Sequence, residues 1–102
     1  MKKPRELTRE EVRDNFLEHV RKIVEYWGKL DAPVVDRLGG VAFSMLAAFD
    51  GCSELPAFIL APRPHPEDKE YNIGEGDNYY PENNKEVNCD ISGELHENFF
   101  KE

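Results

Sequence analysis

Two cysteines and three histidines limit the metal and acid–base chemistry open to this 102-residue chain. Cys52, His65, Cys89 and His96 are the side-chain types of a tetrahedral zinc site. Their spacing argues against one. No C-x-x-C or H-x-x-x-H pair occurs, so four separate segments would have to converge. No metal or other cofactor is therefore assigned. Two cysteines are also too few for a disulfide framework, and free thiols are expected, with a single Cys52–Cys89 bridge as the alternative. His19 falls at the border of a helical apolar face, where a packing role is the simpler reading. Ser44 reads as a small residue in a helix interface. A nucleophile elbow of the G-x-S-x-G kind is missing. Gly74-x-Gly76 lacks the rest of a nucleotide fingerprint and the strand before it. No catalytic residue is assigned, and an enzyme built on His65, His96 and nearby carboxylates, or dependent on a metal, stands third among the readings of function.

One stretch gathers groups suited to recognition. Residues 67–82 carry Glu67, Asp68, Glu70, Glu75, Asp77 and Glu82 against Lys69. Such carboxylates can hold Ca²⁺ or Mg²⁺, but the spacing is not that of an EF-hand loop, and a solvated acidic segment is the simpler expectation. His65, Asp68, Lys69, Tyr71, Asp77, Asn78, Tyr79 and Tyr80 place titratable and aromatic groups in the same stretch. Tyrosines beside charges suit a protein-recognition surface. They equally suit a loop that packs its rings against the body, and the sequence balances the two.

These residues must be positioned by the elements around them. Thr8 followed by Glu11 is a capping box, in which each side chain satisfies the other's free backbone N–H. Leu7 and Val12 sit where a hydrophobic staple would be. Val12, Phe16, Val20, Ile23, Val24 and Trp27 then share one helical face, and Glu18–Lys22 is a favourable i,i+4 pair. Gly28 is a natural stop, so a helix is predicted over 8–27. A second helix is predicted over 32–49, with Asp31 as its cap and Pro33 in its first turn. Gly39-Gly40 threatens it. However, Val34, Leu38, Val41, Met45 and Phe49 keep one helical register across the glycines, which favours one helix with a soft spot over two short ones. Two glycines cost roughly 1–2 kcal/mol against alanines, so compensation such as a close approach is expected there. Phe43 and Ala47 lie off the main stripe, so this helix needs cover on more than one side. Leu55-Pro56-Ala57-Phe58-Ile59-Leu60, read as extended chain, is the candidate for the second cover.

Pro62, Pro64 and Pro66 favour extended backbone, and a helical turn can begin at Pro66 before Gly74 and Gly76 end it. Pro81, Asn83 and Asn84 mark a turn. Val87–Ile91 reads as a short strand. Ser92 can cap a last helix with Leu95, Phe99 and Phe100 as its apolar face, docked on the body. The predicted fold is mostly α: an antiparallel helical hairpin over 8–50, then a long irregular Pro-rich acidic segment and a C-terminal helix. A small β element near 55–60 and 87–91 is allowed for, and α+β is the alternative class. Residues 1–102 are expected to form one small domain.

Charge narrows the partners. Residues 1–50 hold nine basic and nine acidic side chains, and residues 51–102 hold four and twelve, so the net charge of −8 belongs to the second half. That disfavours nucleic acid and anionic membrane surfaces, whose affinity comes from Lys and Arg. It suits a basic protein partner. No apolar run is long enough to span a bilayer. The opening Met1-Lys2-Lys3-Pro4-Arg5-Glu6 has the basic residues of a signal peptide without an apolar run behind them, which points to the cytoplasm.

Ala42-Phe43-Ser44-Met45-Leu46, Phe49-Asp50-Gly51, Leu55-Pro56-Ala57-Phe58, Arg63-Pro64-His65-Pro66-Glu67-Asp68-Lys69 and Leu95-His96-Glu97 together resemble short uncharacterised bacterial and phage proteins, over about residues 20–100. The resemblance implies a microbial, cytoplasmic origin and assigns no activity, ligand or residue role. The leading functional expectation is a non-catalytic acidic interaction module. A homo-oligomeric helical protein, most simply a homodimer, is the second.

Overall fold

The computed structural model describes residues 4–83 and 85–101. Met1, Lys2 and Lys3 of the basic opening and Asn84 of the predicted turn lie outside them. Among the described residues four helices follow in order: α1 (Arg9–Lys29), α2 (Val34–Phe49), α3 (Asp68–Gly74) and α4 (Leu95–Asn98). About 49% of the described residues are helical and no strand occurs among them, so the mostly α class holds over α+β. The chain divides into two compact units, Met1–Ala47 and Ala48–Glu102.

The first unit is the hairpin, in which α1 packs against α2. α1 starts as predicted. Thr8 Oγ1 accepts from the Glu11 N–H at 3.2 Å, and Glu11 Oε1 accepts from the Thr8 N–H at 2.9 Å. Arg5 adds a two-pronged contact to the Glu11 carboxylate, both bonds at 2.8 Å. With the guanidinium first and the Thr8 N–H second, that carboxyl is pushed down to about 2. Glu18 pairs with Arg21 at 3.7 Å, one residue short of the predicted Lys22. Gly28 does not stop the helix. Its φ is not positive, and the helix runs on to Lys29, where the Leu30 N–H turns back to the Trp27 carbonyl.

α2 begins at Val34, later than predicted. Asp31 lies two residues ahead of the capping position. The start is tied instead by Arg37, whose backbone N–H donates to the Pro33 carbonyl and whose Nε donates to the Ala32 carbonyl at 3.0 Å. The helix passes through Gly39-Gly40 unbroken. The compensation is the Trp27 indole. A Cβ built on Gly40 would meet three atoms of that ring at 2.5–2.6 Å, so only glycine lets the ring lie against the backbone. One turn on, Ser44 Oγ accepts from the indole Nε1–H at 2.9 Å. Gly40 and Ser44, four residues apart, thus form a small-residue seat for one large side chain. The predicted interface role of Ser44 holds, with a hydrogen bond added. Among the described apolar residues of α1 and α2, Ile23 and Ala48 are buried, at 9% and 1% exposure. Val34 and Leu38 of the apolar stripe stay 60% and 65% exposed.

The second unit has little regular structure. The Phe58 N–H donates to the Phe49 carbonyl at 3.0 Å, and the two rings meet edge to face. Gly51, at φ +86°, lies against Ala57, where a Cβ would come within 2.9 Å. The extended segment therefore meets the last turn of α2. The predicted strand at 87–91 does not form. Its single ladder-like bond runs from the Ile91 N–H to the Leu60 carbonyl at 2.8 Å. The reciprocal position is taken by a side chain, as Asp90 Oδ1 accepts from the Leu60 N–H at 2.9 Å. A carboxylate standing in for a backbone carbonyl ends the pairing after one step. The Phe99 and Phe100 rings lie tilted at 59° with their centres 4.7 Å apart, and both stay exposed, at 41% and 68%, rather than buried as expected.

Candidate functional site

Three side chains from widely separated positions organise the second unit. Asp50 lies just past the end of α2, and its side chain is shielded from solvent. Its Oδ1 accepts from the Gly93 N–H at 2.5 Å, and its Oδ2 accepts from the His96 N–H at 2.8 Å. The Leu95 N–H also contributes. His96 Nδ1 lies 2.5 Å from Oδ2. Burial pushes the Asp50 carboxyl up. The imidazole and the three N–H groups outweigh it and hold the group well below the usual carboxylate range. Asp50 therefore fills the capping role predicted for Ser92. Ser92 is used elsewhere: its hydroxyl donates to the Phe58 carbonyl at 2.6 Å and lies 2.8 Å from Asp90 Oδ1.

Asp90 and Asn83 repeat the pattern. Asp90 Oδ1 accepts from the Leu60 and Ser92 N–H groups, and these bonds, Leu60 first, lower its pKa. Asn83 Oδ1 accepts from the Asn88 and Cys89 N–H groups at 2.8 and 3.0 Å, while its Nδ2 donates to the Pro62 carbonyl at 2.7 Å. Each side chain closes a loop that a sheet would otherwise close.

The Asp50–His96 contact has chemical meaning of its own. A carboxylate on Nδ1 fixes the neutral ring in the tautomer whose Nε2 is an acceptor, the orientation used in acid–base dyads. Here the same carboxylate also holds the 93–96 backbone, so the pair ties the C-terminal turn to the end of α2. Sequence reasoning picked out His96 and missed Asp50. A signal was present: a carboxylate is disfavoured at a helix C-terminus, so one placed there is a candidate for an outside partner. Asp90-x-Ser92 was equally readable as a local side-chain turn.

The eight residues predicted for partner binding all lie on the surface. His65 and Asp68 shape the entry to α3: the His65 N–H donates to Asp68 Oδ2 at 3.0 Å, and His65 Nδ1 accepts from the Glu67 N–H at 3.2 Å. Lys69 Nζ stands 5.4 Å from the centre of the Tyr79 ring, a cation–π contact. Asp68 and Tyr80 line a depression of about 260 Å³ with Pro62, Arg63 and Pro64. Asp77 follows α3, its N–H held by the Asn72 carbonyl, and Asn78 comes next. Tyr71 and Tyr80 are 68% and 73% exposed. Asp68, Lys69 and Tyr79 are thus drawn into contacts around α3, while Tyr71 and Tyr80 stand out to solvent.

Among the described residues no group of three or more His, Cys, Asp or Glu side chains is placed to hold a metal ion, so Cys52, His65, Cys89 and His96 do not converge, and neither do the carboxylates of 67–82. Cys52 and Cys89 are free thiols. No helix among the described residues is long and apolar enough to cross a membrane. No family model, curated protein or solved structure matches the chain.

Proposed function

We propose that the protein is a non-catalytic interaction module whose second unit docks a basic protein partner on the acidic, tyrosine-bearing surface around α3. The observation that carries this is the exposure of Tyr71 and Tyr80. The sequence balanced a recognition surface against rings packed on the body, and exposed rings favour recognition. The surrounding charge fits: twelve acidic side chains against four basic ones in residues 51–102 draw a cationic surface toward it. Lys69 over Tyr79 limits the freedom of one ring before a partner arrives, which lowers the ordering cost of binding.

The test is capture of partners by the full chain at low and high salt, alongside the double variant Tyr71→Ser/Tyr80→Ser. A basic partner, lost in strong salt and weakened at least about tenfold by the double variant, is the expected result. A partner held equally in strong salt, or equally by the variant, would sink the proposal.

A further inference from the structure

The depression beside α3 carries one charge of each sign, and the two do not cancel. Arg63 and Asp68 line it with Pro62, Pro64 and Tyr80, around a volume of about 260 Å³. Among the described residues neither Arg63 nor Asp68 makes an ion pair, with the other or with a third group. Local structure holds both in place. Arg63 stands between two prolines, whose rings fix their own φ, and a residue that precedes a proline is kept extended. The Pro62 carbonyl accepts from Asn83 Nδ2 at 2.7 Å, which pins this stretch from the far side of the unit. Asp68 is tied through one oxygen: its Oδ2 accepts from the His65 N–H at 3.0 Å, and Oδ1 is left for an incoming donor. Tyr80, 73% exposed, adds a ring and a hydroxyl.

We propose that this depression binds a free α-amino acid with an apolar or aromatic side chain. The Arg63 guanidinium takes the ligand's carboxylate, the Asp68 carboxylate takes its ammonium, and its side chain lies against Tyr80 and the two prolines. Charge selects the class of ligand. A simple cation is repelled by Arg63 and a simple anion by Asp68, whereas a zwitterion meets both groups at once, and a guanidinium can grip a carboxylate with two bonds. Size and polarity select within that class. The volume falls just short of the roughly 300–1,000 Å³ of drug-sized sites, which suits a smaller ligand. The wall of Tyr80, Pro62 and Pro64 calls for a ring or an alkyl group, which a zwitterion such as O-phosphoethanolamine lacks. The inference goes beyond the partner surface: it shares Asp68 and Tyr80 with that surface, but it needs neither Tyr71 nor a protein partner.

Titration of the full chain with L-phenylalanine, followed by the amide signals of the ¹⁵N-labelled protein, tests this with no partner present. Saturable shifts at Arg63, Asp68 and Tyr80 are expected, with half-saturation at or below about 1 mM. L-Phenylalanine amide lacks the carboxylate and N-acetyl-L-phenylalanine lacks the ammonium, and each should bind at least about tenfold more weakly. Arg63→Gln and Asp68→Asn should each weaken L-phenylalanine by a similar factor with helical content kept. Asparagine retains an acceptor for the His65 N–H, so its effect reads the charge and not the loop. The two blocked ligands keep the test decisive if a variant fails to fold. The absence of any saturable shift up to about 10 mM overturns the proposal. So do blocked ligands that bind as well as the parent, charge variants that bind like the wild type, or O-phosphoethanolamine binding as tightly as L-phenylalanine.

Discussion

The two units of this chain solve the same problem by different means. In the hairpin, backbone N–H groups are satisfied within each helix, and one tryptophan on a glycine–serine seat sets how the helices meet. In the second unit, long stretches lack a repeating backbone pattern, and Asp50, Asp90 and Asn83 supply acceptors to N–H groups as many as 46 positions away. The first arrangement spreads its stability over many small, repeated contacts. The second concentrates it on a few side chains, each without a neighbour to replace it.

Mutations can break or sharpen that contrast. The largest effect is expected from Asp50→Ala, which strips the acceptor from Gly93, Leu95, His96 and the imidazole at once. Hydrogen exchange should show those amides losing protection by roughly tenfold or more while α1 is unchanged. Equal loss in both units would end the contrast. Next comes Gly40→Ala. Alanine is the better helix former, yet its Cβ would meet the indole, and a cost of about 1–3 kcal/mol in denaturant unfolding is expected. Gly28→Ala is the counterpart: nothing lies within 4 Å and the φ is not positive, so a gain of about 0.5–1 kcal/mol should follow. Similar results at the two glycines would refute the seat.

Ser44→Ala removes the acceptor for the Trp27 Nε1–H and should cost about 1 kcal/mol, with a shift in Trp27 fluorescence. The smallest effect belongs to Glu11. Its folded-state pKa, about 2, lies below the usual 4.5, so its contribution to α1 is complete above pH 4.5 and is lost as pH falls through about 2. Its carboxyl titration, followed by NMR, should show that low midpoint in the wild type and a higher one in Arg5→Ala. A midpoint near 4.5 in the wild type would remove the Arg5 contact from the cap.

The hairpin was legible because its signals are local. Thr8 and Glu11 lie three residues apart, and the apolar register across Gly39-Gly40 needs only the helical period. Gly28 misled because a glycine ends a helix only when the chain turns to positive φ, and here it does not. The strand at 87–91 misled for another reason: β propensity was present, but Asp90 folded its own carboxylate into the position a partner strand would need. The exposed residues around α3 could be named from composition. That Lys69 meets Tyr79, or that Asp68 and Tyr80 line one depression, could not.

By itself the sequence determined the two long helices, the Thr8–Glu11 cap of the first, the acidic imbalance and the absence of any ligand spacing, since all of these follow from residue type and short-range order. Only the tertiary structure decided that Trp27 takes the Gly40–Ser44 side of α2, leaving Val34 and Leu38 open. It alone joined Asp50 to His96. Both are choices among distant partners, and they are settled by where buried polar groups and one large ring can be satisfied together, a condition no window of sequence contains.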